Sequence, residues 1–254
     1  MLADFITTWL FSYLLIFTRI GTAMMIMPGI GDSFTPTNIR LMFALTLSLV
    51  MTPLLSTFLP AAPSEPALLF ILIASEALIG LFIGTVMRIL MSAMDTMGMV
   101  VSLNTGFANA QVFNPSSGGQ GSIIGALMGV MATTMILVTD MHHLLLVSIF
   151  ESYQMFPANG FFNDVGQMAD VIARVANVAF NTGVKMSMPF MIITLVVYTG
   201  FGILGRLMPQ IQVFFLALPV QILLAIMGLS LVFSFMLLYF LEFFEETVTS
   251  TITL

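Results

Sequence analysis

The sequence predicts an all-α protein of the polytopic membrane type, built from helical hairpins in which several helices are over-long or kinked. Three observations carry this. Hydrophobic residues make up 59% of the chain and charged residues only 7%, against roughly 25% charged in an ordinary soluble domain. Mean hydropathy is +1.10, more apolar surface than a water-soluble fold of 254 residues could hide. The apolar residues fall into runs that reach or exceed the roughly 20 residues needed to span a bilayer, punctuated by proline and glycine.

The elements follow in order. Segment one covers about 5–27 and ends at Pro28-Gly29. Its start carries Asp4 and no basic residue, whereas a cleaved signal begins with positive charge, so this segment is expected to be retained. A turn over 28–40 uses Asp32, Ser33, Pro36 and Asn38. Segment two covers about 39–59, with Pro53 bending it or ending it early. A proline-rich connector, 60–66, leads to segment three, which stays helix-compatible to about 103, far more than one perpendicular span. Segment four is expected as one element over 122–150, followed by a turn region at 151–166. Segment five covers about 164–207, amphipathic at first and strongly apolar after Pro189. A tight polar turn at 206–212 precedes segment six, about 211–246, and the Thr-rich tail 247–254 is expected to be poorly ordered.

Between segments three and four lies a small-residue stretch, 106–121. It holds Gly106, Phe107, Asn109, Gln111, Val112, Phe113, Asn114, Pro115, Gly118, Gly119 and Gln120, and has no Lys, Arg, Asp or Glu. Pro115 blocks a continuous helix, the glycines permit unusual backbone angles, and Val112 and Phe113 supply apolar bulk. Two readings fit: a short aqueous loop, or irregular backbone that lines or blocks a cavity. Non-helical backbone at membrane depth survives only where protein or water covers it.

Four glycines form two spaced pairs, Gly80/Gly84 and Gly125/Gly129. Such pairs favour close helix packing. Five charges, Arg19, Glu76, Arg88, Asp95 and Lys185, sit inside apolar runs. Each costs about 2.5–3.5 kcal/mol at a bilayer centre, so these buried charges should face protein, water or one another rather than lipid. An ion path and structural pairing both account for such charges. Structural pairing is favoured, because no Asp/Glu/His chain at relay spacing connects them. Six segments place both ends on one side. Arg40 and Arg206 fall in odd-numbered turns and Arg88 near the odd-numbered loop, while Arg174 lies near an even-numbered one. The positive-inside rule then puts both termini outside.

Much chemistry is excluded. A net charge of −6 argues against nucleic acid. The absence of cysteine removes disulfides, thiolate metal sites and thiol nucleophiles. Gly118, Gly119 and Gly121 match no nucleotide fingerprint, and no cofactor is expected. His142 and His143 are adjacent, and on a helix they should point to different faces rather than converge on a metal. The 23 methionines, among them Met24, Met25, Met87, Met91, Met94, Met97 and Met99, fit core filling or compliant seals around a passage.

Three motifs, with the loop Phe113-Asn114-Pro115-Ser116, carry a resemblance. The first is Phe17-Thr18-Arg19, then Pro28-Gly29-Ile30-Gly31, Pro36 and Arg40. The second is Glu76, Gly80 and Gly84 at four-residue spacing. The third and most specific is Gly205-Arg206-Leu207-Met208-Pro209-Gln210-Ile211-Gln212-Val213-Phe214, then Pro219 and Ile222. Together they resemble the FliR family of flagellar type III export-gate proteins, with SctT counterparts in injectisomes, over nearly the whole chain. Gln212 stands where family members often carry Asn.

The resemblance implies a non-enzymatic subunit of a helical hetero-oligomeric gate, which completes a closed channel with FliP-like and FliQ-like subunits. It implies a FliP-like part at 1–150, with the plug loop at 106–121, and a FliQ-like hairpin at 151–254. The hairpin turn with Arg206, Pro209 and Gln210 would face the cytoplasm beside a FlhB-like protein. Exported unfolded flagellar proteins and membrane lipid are the further partners. The location implied is the bacterial inner membrane, in the flagellar basal body, with much of the chain raised to the periplasmic side. A secondary ion or solute transporter is the alternative that the intramembrane charges and prolines suggest, although no paired broken helices are visible in the sequence.

Overall fold

The computed structural model describes residues 2–108, 122–158, 161–208 and 213–252. Among these residues the chain is helical and contains no strand. The helices are α1 (Leu2–Ile26), α2 (Thr37–Leu55), α3 (Pro66–Thr105), α4 (Ile123–Val138), α5 (His142–Met155), α6 (Phe161–Leu207) and α7 (Val213–Ile252), with a 3-10 turn at Ser56–Phe58 after α2. Five of these helices are long and apolar enough to cross a membrane, and six spans result if α4 and α5 count as one broken span. At 1.5 Å per residue, the 40 residues of α3 and of α7 correspond to roughly 60 Å of helix and the 47 of α6 to roughly 70 Å, about twice the hydrocarbon thickness.

The chain divides into two compact units. The first comprises Met1–Leu90, Ile136–Ala176 and Phe244–Leu254; the second comprises Met91–Met135 and Asn177–Phe243. Each therefore takes residues from both sequence halves.

In the first unit the core is striped at helical spacing. Ile16, Ile20 and Ala23 of α1 are buried, with Met27 just beyond it, as are Ile79, Ile83, Val86 and Leu90 of α3. The stripe of α2 is smaller, Ala44, Ser48, Thr52 and Leu55. The two hydroxyls turn back on their own helix, Ser48 Oγ to Ala44 O at 2.6 Å and Thr52 Oγ1 to Ser48 O at 2.7 Å, so they bury without orphaned polar atoms. The turn after α1 is tied by its own side chains. Gly29 takes φ 84°, its N–H donates to Asp32 Oδ2 at 2.9 Å, and Arg40 Nη2 donates to the carbonyls of Asp32 and Thr35 at 2.9 and 3.2 Å.

In the second unit, Ala93, Met94, Met97 and Val101 of α3 are buried, with Ile124, Met128 and Ala132 of α4, Met186 and Phe190 of α6, and Met236 and Phe240 of α7. Of the singled-out methionines, Met24, Met87, Met91, Met94 and Met97 are buried, whereas Met25 and Met99 are each 51% exposed.

Two expectations are corrected. Segment four is not one helix: it breaks at 139–141, between α4 and α5. Asp140 takes φ 60° there, the left-handed region that a short polar side chain tolerates. The chain restarts through His143 N–H to Asp140 O and Leu144 N–H to Met141 O, both 3.0 Å. The tail is not irregular to residue 247 onward, because α7 continues to Ile252. Val248 is fully buried and Thr251 Oγ1 donates to Thr247 O at 2.7 Å, so packing on one face extends the helix through the threonines.

Candidate functional site

Within the first unit, α1, α3 and α5 are joined by one arginine. Arg19 and Glu76 both have fully inaccessible side chains. Arg19 Nε donates to Glu76 Oε2 at 2.6 Å and Nη2 to Oε1 at 2.9 Å, a two-pronged pair. Nη2 also donates to Phe156 O at 3.0 Å, and Nη1 donates to Ser152 O at 3.1 Å and to Ser152 Oγ at 3.3 Å. A guanidinium has five N–H groups, and these five acceptors match them. The carbonyls of Ser152 and Phe156 lie at the C-terminal end of α5, where a positive charge complements the helix dipole. The Tyr153 ring lies under the guanidinium carbon, 3.9 Å from centroid to Cζ, and adds a cation–π contact.

The glycines bring the same helices close. A Cβ on Gly80 would run into Arg19 O and Thr22 Oγ1, and one on Gly84 would lie 2.8 Å from Ala23 O and 2.9 Å from Ile26 Cβ. Backbone-to-backbone contact with α1 thus brings Arg19 and Glu76 within reach of each other.

The other three charges in apolar runs are not buried. Arg88 is 53% exposed and pairs with Asp32, and Asp95 and Lys185 are also exposed on the chain. Of the five, Arg19 and Glu76 are buried within the chain itself. Arg88 reaches the turn after α1, and the Asp95 side chain lies beside Gly129 of α4. Lys185 borders a groove with Met186, Pro189, Val232 and Phe235.

In the second unit a polar clasp ties the end of α3 to the start of α4. Ser122 caps α4, its Oγ accepting from Gly125 N–H at 3.0 Å. The same oxygen lies 2.7 Å from Gly98 O and 2.6 Å from Ser102 Oγ. Below it the helices cross at two glycines: a Cβ on Gly98 would overlap the Cα and N of Gly125. At Gly129 a Cβ would meet only Asp95 Oδ1, at an ordinary 3.7 Å. Gly106 ends α3 with φ 82°, and Thr194 Oγ1 of α6 donates to Asn104 O at 3.2 Å. Ser102 and Ser122, which flank the 106–121 stretch in sequence, are therefore held together. Gly106 and Phe107 are described, while Asn109, Gln111, Val112, Phe113, Asn114, Pro115, Gly118, Gly119 and Gln120 lie outside the described residues. So do Pro209 and Gln210; Arg206 is exposed in the last turn of α6.

Sequence reasoning missed Ser152 and Phe156, which act through backbone carbonyls and carry no sequence signal. It also missed Gly98, which has no glycine four residues away, and Ser122 as a cap. A serine just before an apolar helix was the available signal for the last.

Residues 10–247 match the family described as bacterial export proteins, family 1. The chain is 37% identical to the flagellar biosynthetic protein FliR of Caulobacter vibrioides over 219 residues, 85% of each chain. It is 30% identical to FliR of Bacillus subtilis over 213 residues, 83% of this chain and 82% of that one. It is 26% identical to Yop proteins translocation protein T of Yersinia pestis over 228 residues, 87% and 85% of the two chains. With a match this extensive, the chain belongs to bacterial export protein family 1, the FliR/SctT family.

Proposed function

We propose that this chain is the FliR-type structural subunit of a flagellar type III protein export gate, and that it works without catalysis. It completes a closed channel with FliP-like and FliQ-like subunits, 1–150 in the manner of the former and 151–254 in the manner of the latter. The stretch 106–121 is the closed-state plug. The greater similarity to the FliR proteins of Caulobacter vibrioides and Bacillus subtilis than to the Yersinia protein supports the flagellar branch. The gate sits in the bacterial inner membrane, in the flagellar basal body. Helices of roughly 60–70 Å support a chain partly raised to the periplasmic side. The turn after Arg206 faces the cytoplasm and a FlhB-like partner, as the positive-inside rule favours.

The observation that carries this reading is the clasp of Ser102, Ser122, Gly98 and Gly125 at the base of an uncharged loop. A plug needs a firm stem and a tip that can leave the passage when a chain enters. Large apolar side chains exposed on α6 and α7, such as Leu207 at 72%, Leu231 at 82% and Phe235 at 69%, support lipid or subunit neighbours.

The test is export itself. A strain lacking this chain should stop exporting flagellar proteins and recover when the full chain is restored, and the chain should co-purify with FliP-like and FliQ-like subunits. Export that persists without it, or a chain that purifies as a folded monodisperse monomer, contradicts the reading.

A further inference from the structure

The break between α4 and α5 brings together the three residues Asp140, His142 and His143. We propose that they form a divalent transition-metal site, suited to Zn²⁺, that clasps the break. Each residue offers one ligand atom, and the three atoms lie within 4.8 Å of one another. Ligands around a tetrahedral zinc ion, bonded at about 2.0–2.2 Å, stand roughly 3.3 Å apart. The remaining closure needs only side-chain adjustment, which the exposed Asp140 carboxylate can make.

Adjacent histidines inside a helix diverge. These two are the first two residues of a helix. They open α5 just after Asp140, at φ 60°, and their rings are 4.3 Å apart between centroids.

Two further observations point to a metal. The backbone carbonyl of Asp140 lies 3.1 Å from His143 Nδ1. A carbonyl only accepts, so this contact makes Nδ1 the donor and leaves the ring's lone pair on Nε2. An outer hydrogen bond of this kind fixes the tautomer and orientation of a ligating histidine. The Nδ1 atom of His142 is buried and has no hydrogen-bond partner among the described residues, although buried polar atoms normally have one. Two imidazoles and one carboxylate are a borderline donor set that suits Zn²⁺, Ni²⁺ or Cu²⁺ rather than Ca²⁺ or Mg²⁺. Three protein ligands leave a fourth position for water or a neighbouring subunit. The ion would join the turn residue to the first turn of α5 and stiffen the break.

The full chain, purified with its accompanying subunits and stripped with chelator, is titrated with Zn²⁺ by calorimetry and with Co²⁺ by visible absorption. Wild type should take up one more equivalent of Zn²⁺ than a complex carrying His143→Gln or Asp140→Asn. The variants should bind at that site more weakly by at least the roughly 10–100-fold that even an outer-shell loss costs. Asp140→Asn keeps the left-handed turn, because Asn tolerates it, and so separates ligand loss from misfolding. Co²⁺ on wild type should give the intense bands of a four-coordinate site, a readout that needs no variant. Equal Zn²⁺ uptake by wild type and variants, or only the weak spectrum of six-coordinate Co²⁺, overturns the proposal.

Discussion

Arg19 brings five N–H donors into a fully buried position, and five acceptors meet them there. Removing one partner of a buried pair costs about 3–5 kcal/mol, because the other charge stays buried and unpaired. Replacing both with apolar residues of similar volume can be close to neutral. We therefore expect Glu76→Ala to abolish or sharply reduce the amount of assembled complex recovered from membranes, and Arg19→Met with Glu76→Met to restore only part of it, because the carbonyls of Ser152 and Phe156 then lose their donor. Recovery of the single variant at the wild-type level would show that the pair does not hold α1, α3 and α5 together. At this scale the sequence was half legible. A charge in an apolar run is conspicuous, so Arg19 and Glu76 stand out. The faces of Arg88, Asp95 and Lys185 depend on which neighbours pack where, and on the chain itself all three are exposed. The carbonyls of Ser152 and Phe156 were invisible, since every residue carries a carbonyl.

At the scale of helices, close approach is set by the partner across the crossing rather than by spacing along one chain. Gly80 and Gly84 are legible because both spacing and packing single them out, but Gly98 is not. Its own helix offers no companion, and only its meeting with Gly125 makes it necessary. Gly129 has the spacing without the crowding. Gly98→Val should thus destabilise the clasp by at least the 1–3 kcal/mol typical of overpacking, whereas Gly129→Ala should stay within about 0.5 kcal/mol. Thermal melting of the purified complex checks this, and equal shifts for the two variants would contradict it. The break at Asp140 escaped the sequence for a similar reason: 139–141 contains neither Pro nor Gly, and only the positive φ of one aspartate marks it. The final turns of α7 escaped because the burial of Val248 outweighs a Thr-rich composition.

For the whole molecule, composition alone announced a membrane protein of long helices, and the family motifs announced its relatives. What composition could not convey is the division of labour that the plug proposal requires, between a stem and a tip. In that proposal the stem is the clasp of Ser102 with Ser122, and the tip is the uncharged stretch of sequence that carries Val112 and Phe113. A charged tip would hold water and ions in a closed passage, whereas an uncharged one with apolar bulk excludes them. On the same proposal, glycines at 118, 119 and 121 would give its backbone the freedom to withdraw. The most direct measurement is ion permeability of membranes from cells expressing the whole gate, with 106–121 shortened to the few residues needed to link α3 to α4. The account predicts a gate that assembles in normal amounts and leaks ions. An assembled gate that stays as tightly sealed as wild type would mean that another element closes the channel and that this loop is only a connector.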